Sequence, residues 1–87
     1  MKKISKAIKE TKAFIIDVQT CDAKATFRRL EKLKSTVFIR DNGAYCHCNE
    51  CSQIYIETLL TEEELDHWLW ATKGVNYIGV VSVPIEV

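Results

Sequence analysis

Ala13-Phe14-Ile15-Ile16-Asp17-Val18 runs almost directly into Thr20-Cys21-Asp22-Ala23-Lys24-Ala25-Thr26-Phe27-Arg28-Arg29-Leu30-Glu31-Lys32-Leu33, and the apolar period changes between the two stretches. The first is short, nearly continuous and β-branched, as a strand inside a sheet is. In the second, Ala23, Thr26, Phe27, Leu30 and Leu33 recur at steps of three and four, the pattern of one helix face extending to about Lys34. Thr20 or Asp22 can accept from the first free amides and serve as N-cap. At about 100° per residue, Lys24, Arg28 and Lys32 fall on the opposite face with Arg29 beside them. The helix is therefore basic on its outside.

Working outward, Thr36-Val37-Phe38-Ile39-Arg40 reads as a strand, and Asp41-Asn42-Gly43 as the turn of a hairpin, since Asn and Gly tolerate positive φ. Ala44 to Cys48 returns from that turn, either as a strand of its own or as part of a bent hairpin. After a break at Asn49-Glu50-Cys51-Ser52, Gln53 to Leu59 is another strand. Thr61-Glu62-Glu63-Glu64 is a capping box with its carboxylates at the positive end of the helix dipole. Leu65, Trp68, Leu69 and Thr72 form the buried stripe of that second helix, and Gly74 stops it. Val75 to Val83 is a final strand, ended by Pro84. Residues 1–11 read as a basic arm or a short helix. The order is β-α-β-β-(β)-α-β, an α+β plan of the ferredoxin-like, or split βαβ, kind: an antiparallel sheet with two helices on one face.

Composition narrows the class. Eighty-seven residues build one domain with one modest core. The hydrophobic fraction of 47%, with 12 basic residues against 12 acidic, excludes a disordered chain. No apolar run approaches the roughly 18 residues of a membrane span, so no membrane partner is expected. No apolar segment follows the basic start Met1-Lys2-Lys3-Ile4-Ser5-Lys6, so the expectation is a cytoplasmic chain with reduced thiols. The balanced charge is strongly partitioned: residues 1–40 carry +7 and residues 41–87 carry −7. Either the halves neutralise each other on folding, or the surface is bipolar and each pole can steer a partner. Two such poles also permit head-to-tail self-association, including a homodimer.

The four cysteines are Cys21, Cys46, Cys48 and Cys51. Cys48-x-x-Cys51 has the spacing of half a tetrahedral zinc site, which Cys46 or His47, with Cys21 or His67, would have to complete. Cys46 and Cys48 stand about 7 Å apart on a straight strand, so one ion could bind both only across a bend. The alternative is that they are small buried side chains and no cofactor is held. A catalytic site is not expected. Adjacent strand residues such as His47 and its cysteines point to opposite faces, and Gly43, Gly74 and Gly79 are too scattered for a phosphate loop.

Binding surfaces remain. Glu63, Asp66, His67 and Trp70 share the face of the second helix opposite Leu65 and Leu69, and an outward Trp among acids has the character of an interface anchor. The bland alternative packs the N-terminal arm over it, with Ile4 or Ile8 against Trp70. Lys24, Arg28, Arg29 and Lys32 could contact phosphates, but a base-stacking sheet needs aromatics on both central strands. Tyr55 could serve on one, while Ala13, Ile15 and Asp17 on the other cannot stack. The reading is a non-enzymatic regulator, adaptor or inhibitor that docks on another protein through the acidic helix. In size and charge separation, though not in any motif, it is similar to phage-encoded inhibitors of host nucleic-acid machinery. The alternatives are a nucleic-acid binder using the basic helix and arm, and a zinc-stabilised interaction module using Cys46, Cys48 and Cys51 with Cys21.

Overall fold

Alternation of buried and exposed residues along the central strands decides which way the sheet faces. The computed structural model describes residues 10–44, 50–72 and 77–85. Strand β1 (Lys12–Gln19) leads into helix α1 (Thr20–Glu31), then β2 (Thr36–Ala44), β3 (Cys51–Thr58), α2 (Glu62–Ala71) and β4 (Tyr77–Val83). The four strands form one sheet in the order β2-β3-β1-β4, and every neighbouring pair is antiparallel. Phe14, Ile16 and Val18 of β1 and Ile54 and Ile56 of β3 point to one face. They form a single core with Ala23 and Leu30 of α1 and Leu65 and Leu69 of α2, so both helices lie on that face. Phe27, Leu33, Ile39, Leu60, Trp68 and Val80 close its edges.

The other face is not bare. Tyr55 is 1% exposed although no helix covers it. Its ring meets Phe38 edge-on at 6.2 Å between centroids, and the Arg40 guanidinium lies 4.9 Å from the ring centre. Its hydroxyl donates to Glu57 Oε2 at 2.8 Å. Ile15, Val83, Pro84 and Ile85 surround it from the β1–β4 side.

Two local expectations need correction. Asp41-Asn42-Gly43 is not the hairpin turn: it lies inside β2, with Asp41 opposite Ile54 and Gly43 opposite Gln53. Gly43 has φ of +79°, and its amide donates to Asp41 Oδ1 at 2.7 Å. This tight local closure absorbs one extra residue, Asn42, as a bulge and lets the strand continue. Ala44 pairs with Ser52, and the alternatives for residues 44–48 fall largely on residues 45–49, outside the described residues. Nor does Thr20 or Asp22 cap α1. The N-cap is Gln19, which makes no side-chain cap bond, and the Thr20 hydroxyl instead shares a 2.9 Å hydrogen bond with that of Ser52. The helix ends at Glu31 rather than near Lys34.

At the opposite end of the helices, the α1–β2 connection is tied to the β3–α2 connection. The Thr36 hydroxyl donates to the Leu30 carbonyl at 2.6 Å, and the Leu59 amide donates to the Ser35 carbonyl at 2.9 Å. Thr58, fully buried, donates to that same carbonyl at 3.1 Å and accepts from the Leu60 amide at 3.2 Å. The Thr26 hydroxyl, equally buried, has no hydrogen-bond partner among the described residues. The two threonines should therefore respond oppositely to one substitution. Thr58→Val leaves the part-buried Leu60 amide without its acceptor and the Ser35 carbonyl with one donor instead of two, and should cost about 2 kcal/mol. Thr26→Val removes an unpaired hydroxyl and should be neutral or stabilise by about 1 kcal/mol. Urea unfolding of both variants measures the contrast, and equal losses would contradict it.

Candidate functional site

The phase of α2 determines which side chains face outward, and its first turn sets that phase. Thr61 Oγ1 accepts from the Glu64 amide at 3.1 Å while Glu64 Oε1 accepts from the Thr61 amide at 2.9 Å, the reciprocal capping box expected from the sequence. With the start pinned there, Leu65 and Leu69 point into the core, and Glu63, His67 and Trp70 are exposed with Asp66 partly so. Trp68 is half-buried, and the Thr72 hydroxyl donates to the Trp68 carbonyl at 2.6 Å. The helix ends at Ala71 and Thr72 is extended. The expected stop, Gly74, lies outside the described residues.

Trp70 is 76% exposed, the most exposed large apolar residue of the described part. About two turns before it, α2 carries Glu62, Glu63 and Glu64 in its first turn, and it has no basic residue in its last. The carboxylates complement the helix dipole, and they leave the outer face negative.

Beside this face is a groove that the sequence reading did not anticipate. It has a volume of about 420 Å³, its wall is overwhelmingly apolar, and it opens to solvent between the end of α1 and the first two turns of α2. Leu33, Leu60 and Trp68 supply its apolar surface, and Glu63, Glu64 and His67 stand along its α2 side. Leu33 and Trp68 were counted in core stripes, and each is only half-buried. The available signal was Leu60, an apolar residue just before the Thr61 cap, where a side chain commonly packs back on its helix.

The basic residues of α1, Lys24, Arg28, Arg29 and Lys32, are all exposed. Tyr55, the one aromatic on a central strand's open face, is buried and has Ile15 as its β1 neighbour, so no base-stacking pair is presented there. Cys21 is exposed, its thiol 3.8 Å from Gln19 Oε1, and Cys51 is half-buried. Gln19 pairs with Cys51, and the Thr20 amide donates to the Glu50 carbonyl at 2.7 Å, so the start of α1 and of β3 meet at one end of the sheet. Cys46, His47 and Cys48 lie outside the described residues. Among the described residues, no three His, Cys, Asp or Glu side chains are grouped to hold a metal ion. Asp17, whose buried Oδ1 has no hydrogen-bond partner among the described residues, has Gln53 and Gly79 as cross-strand neighbours. No helix among the described residues is long and apolar enough to cross a membrane.

No protein-family model matches the chain, and no curated protein or solved structure is significantly similar to it. The capping box that orients the acidic face is open to test. Thr61→Ala should lower stability by about 1 kcal/mol, measured by thermal or urea unfolding. No change would mean that packing of Leu65 and Leu69 alone sets the helix phase.

Proposed function

We propose that this chain is a non-catalytic cytoplasmic docking protein, a regulator or inhibitor that engages a basic surface of another protein through Glu63, Asp66, His67 and Trp70. The observation that carries the reading is the 76% exposure of Trp70 on the acidic side of α2, opposite the buried Leu65 and Leu69. A large ring three-quarters exposed on the acidic side of α2 contributes little to the core, whereas at an interface it is the kind of side chain that dominates binding energy. The surrounding negative charge would speed encounter with a positive partner and select against negative ones. The similarity in size and charge separation to phage-encoded inhibitors of host machinery agrees with this reading.

The scaffold is, in this proposal, the split βαβ or ferredoxin-like plan. Support comes from the strand order: β3 lies between β1 and β2, and β1 lies between β3 and β4, so each β-α-β unit is split by one strand. Such a scaffold hosts unrelated activities, so the surface and not the fold carries the functional claim.

A second reading, nucleic-acid binding through α1, is favoured by the exposure of Lys24, Arg28, Arg29 and Lys32 on one helix. The two readings separate cleanly. In the docking reading, Trp70→Ala combined with Glu63→Lys abolishes capture of a protein partner, with an unfolding curve close to that of the parent. Capture at equal yield would refute it. In the nucleic-acid reading, affinity for a DNA or RNA duplex falls steeply with salt and is lost in Lys24→Ala/Arg28→Ala/Lys32→Ala. Absent or salt-insensitive binding would refute that one.

A further inference from the structure

The groove beside the acidic face carries a more specific claim, which rests on the docking reading above. We infer that it receives an aliphatic side chain of a lysine- or arginine-rich segment of the partner protein, with the basic groups of that segment set against Glu63 and Glu64.

Three observations converge on this occupant. The floor is apolar, from Leu33, Leu60 and Trp68, and its volume of about 420 Å³ falls within the range of about 300–1,000 Å³ typical of ligand sites. The carboxylates that line it are on one side and of one element, Glu63 and Glu64 of α2, with His67 beside them. An apolar slot edged by carboxylates complements an apolar anchor flanked by cations, and it disfavours an acidic segment. The walls are also held before any partner arrives. The Ser35 carbonyl accepts from both Thr58 and Leu59, and the Leu60 amide donates to Thr58, which fixes the spacing between the end of α1 and the start of α2. A preformed slot loses less ordering entropy on binding than one assembled on contact. Because Glu63 and His67 belong both to the groove and to the face bearing Trp70, a segment anchored in the groove continues onto that face.

The groove reports its own occupancy. The chain has two tryptophans, Trp68 in the groove wall and Trp70 outside it, so Trp70→Phe in the full chain leaves Trp68 as the sole indole emitter. The probes are three synthetic nine-residue peptides: one of lysines with two leucines four positions apart, one with the leucines replaced by serine, and one with the lysines replaced by glutamate. The lysine–leucine peptide should shift Trp68 emission saturably, and the two controls should bind at least tenfold more weakly. Leu60→Glu should weaken the lysine–leucine peptide at least tenfold, while Leu60→Met, which keeps volume and apolarity, should bind it as the parent does and exclude misfolding as the cause. Equal binding of the serine peptide would reduce the effect to charge and overturn the groove; equal binding of the glutamate peptide would overturn the charge selection. If Ile4→Asp/Ile8→Asp moves Trp68 emission with no peptide present, the occupant is this chain's own N-terminal segment and the proposal fails. The two readings fail separately: if Trp70→Ala/Glu63→Lys abolishes partner capture but no peptide perturbs Trp68, docking stands and the groove proposal falls, whereas capture at equal yield overturns docking itself.

Discussion

The pairing of β1 with β3 is the constraint on which the rest of the molecule depends. It runs without interruption from Lys12 opposite Thr58 to Gln19 opposite Cys51, whereas β2 and β4 join their neighbours with bulges. These are the two inner strands, and side chains alternate along each. A slip of one residue would therefore turn one strand over relative to the other, replacing either Phe14, Ile16 and Val18 by Ile15 and Asp17, or Ile54 and Ile56 by Gln53 and Tyr55, under the helices. The cost of burying Asp17 or Gln53 there, together with exposing the apolar side chains of the slipped strand, makes the register close to obligatory.

From that pairing the two ends of the sheet acquire different characters. At the Gln19–Cys51 end, α1 starts against β3 through the Thr20–Glu50 and Thr20–Ser52 hydrogen bonds. At the Lys12–Thr58 end, Thr58 and Ser35 bind the exit of α1 to the approach of α2. The groove exists because these connections are held together by hydrogen bonds rather than by a side chain filling the space between Leu33, Leu60 and Trp68. The acidic face exists because the Thr61 capping box starts α2 at a phase that turns Glu63, His67 and Trp70 outward. The acidic face follows from local polar bonding and the groove from hydrogen bonds between connections distant along the chain, with apolar residues supplying the adhesion in both.

Much of this was legible without coordinates. Strand and helix identities follow from period, and the capping box from a four-residue pattern whose chemistry is self-contained. The acidic side of α2 and the basic side of α1 were legible too, because a helix converts spacing into facing. What misled was Asp41-Asn42-Gly43: positive φ at Gly43 is real, but a left-handed glycine serves a bulge as well as a turn, and only pairing with Gln53 and Ser52 distinguishes them. Thr20 misled likewise, because a hydroxyl able to cap found Ser52, 32 residues away, as its partner.

By itself, then, the order of residues determined the α+β class, the registerable alternation of β1 and β3, the phase of α2 and the partition of charge between the two halves, since each depends on neighbours within a few positions. Tertiary structure alone decided that Tyr55 is buried on the face without helices, that Trp68 and Leu33 line an open groove while closing the edge of the core, and that the Asn42-Gly43 step bends a strand without ending it. Those outcomes turn on contacts between residues distant along the chain, such as Thr58 with Ser35 and Tyr55 with Phe38 and Arg40, and no local period encodes where such partners will stand.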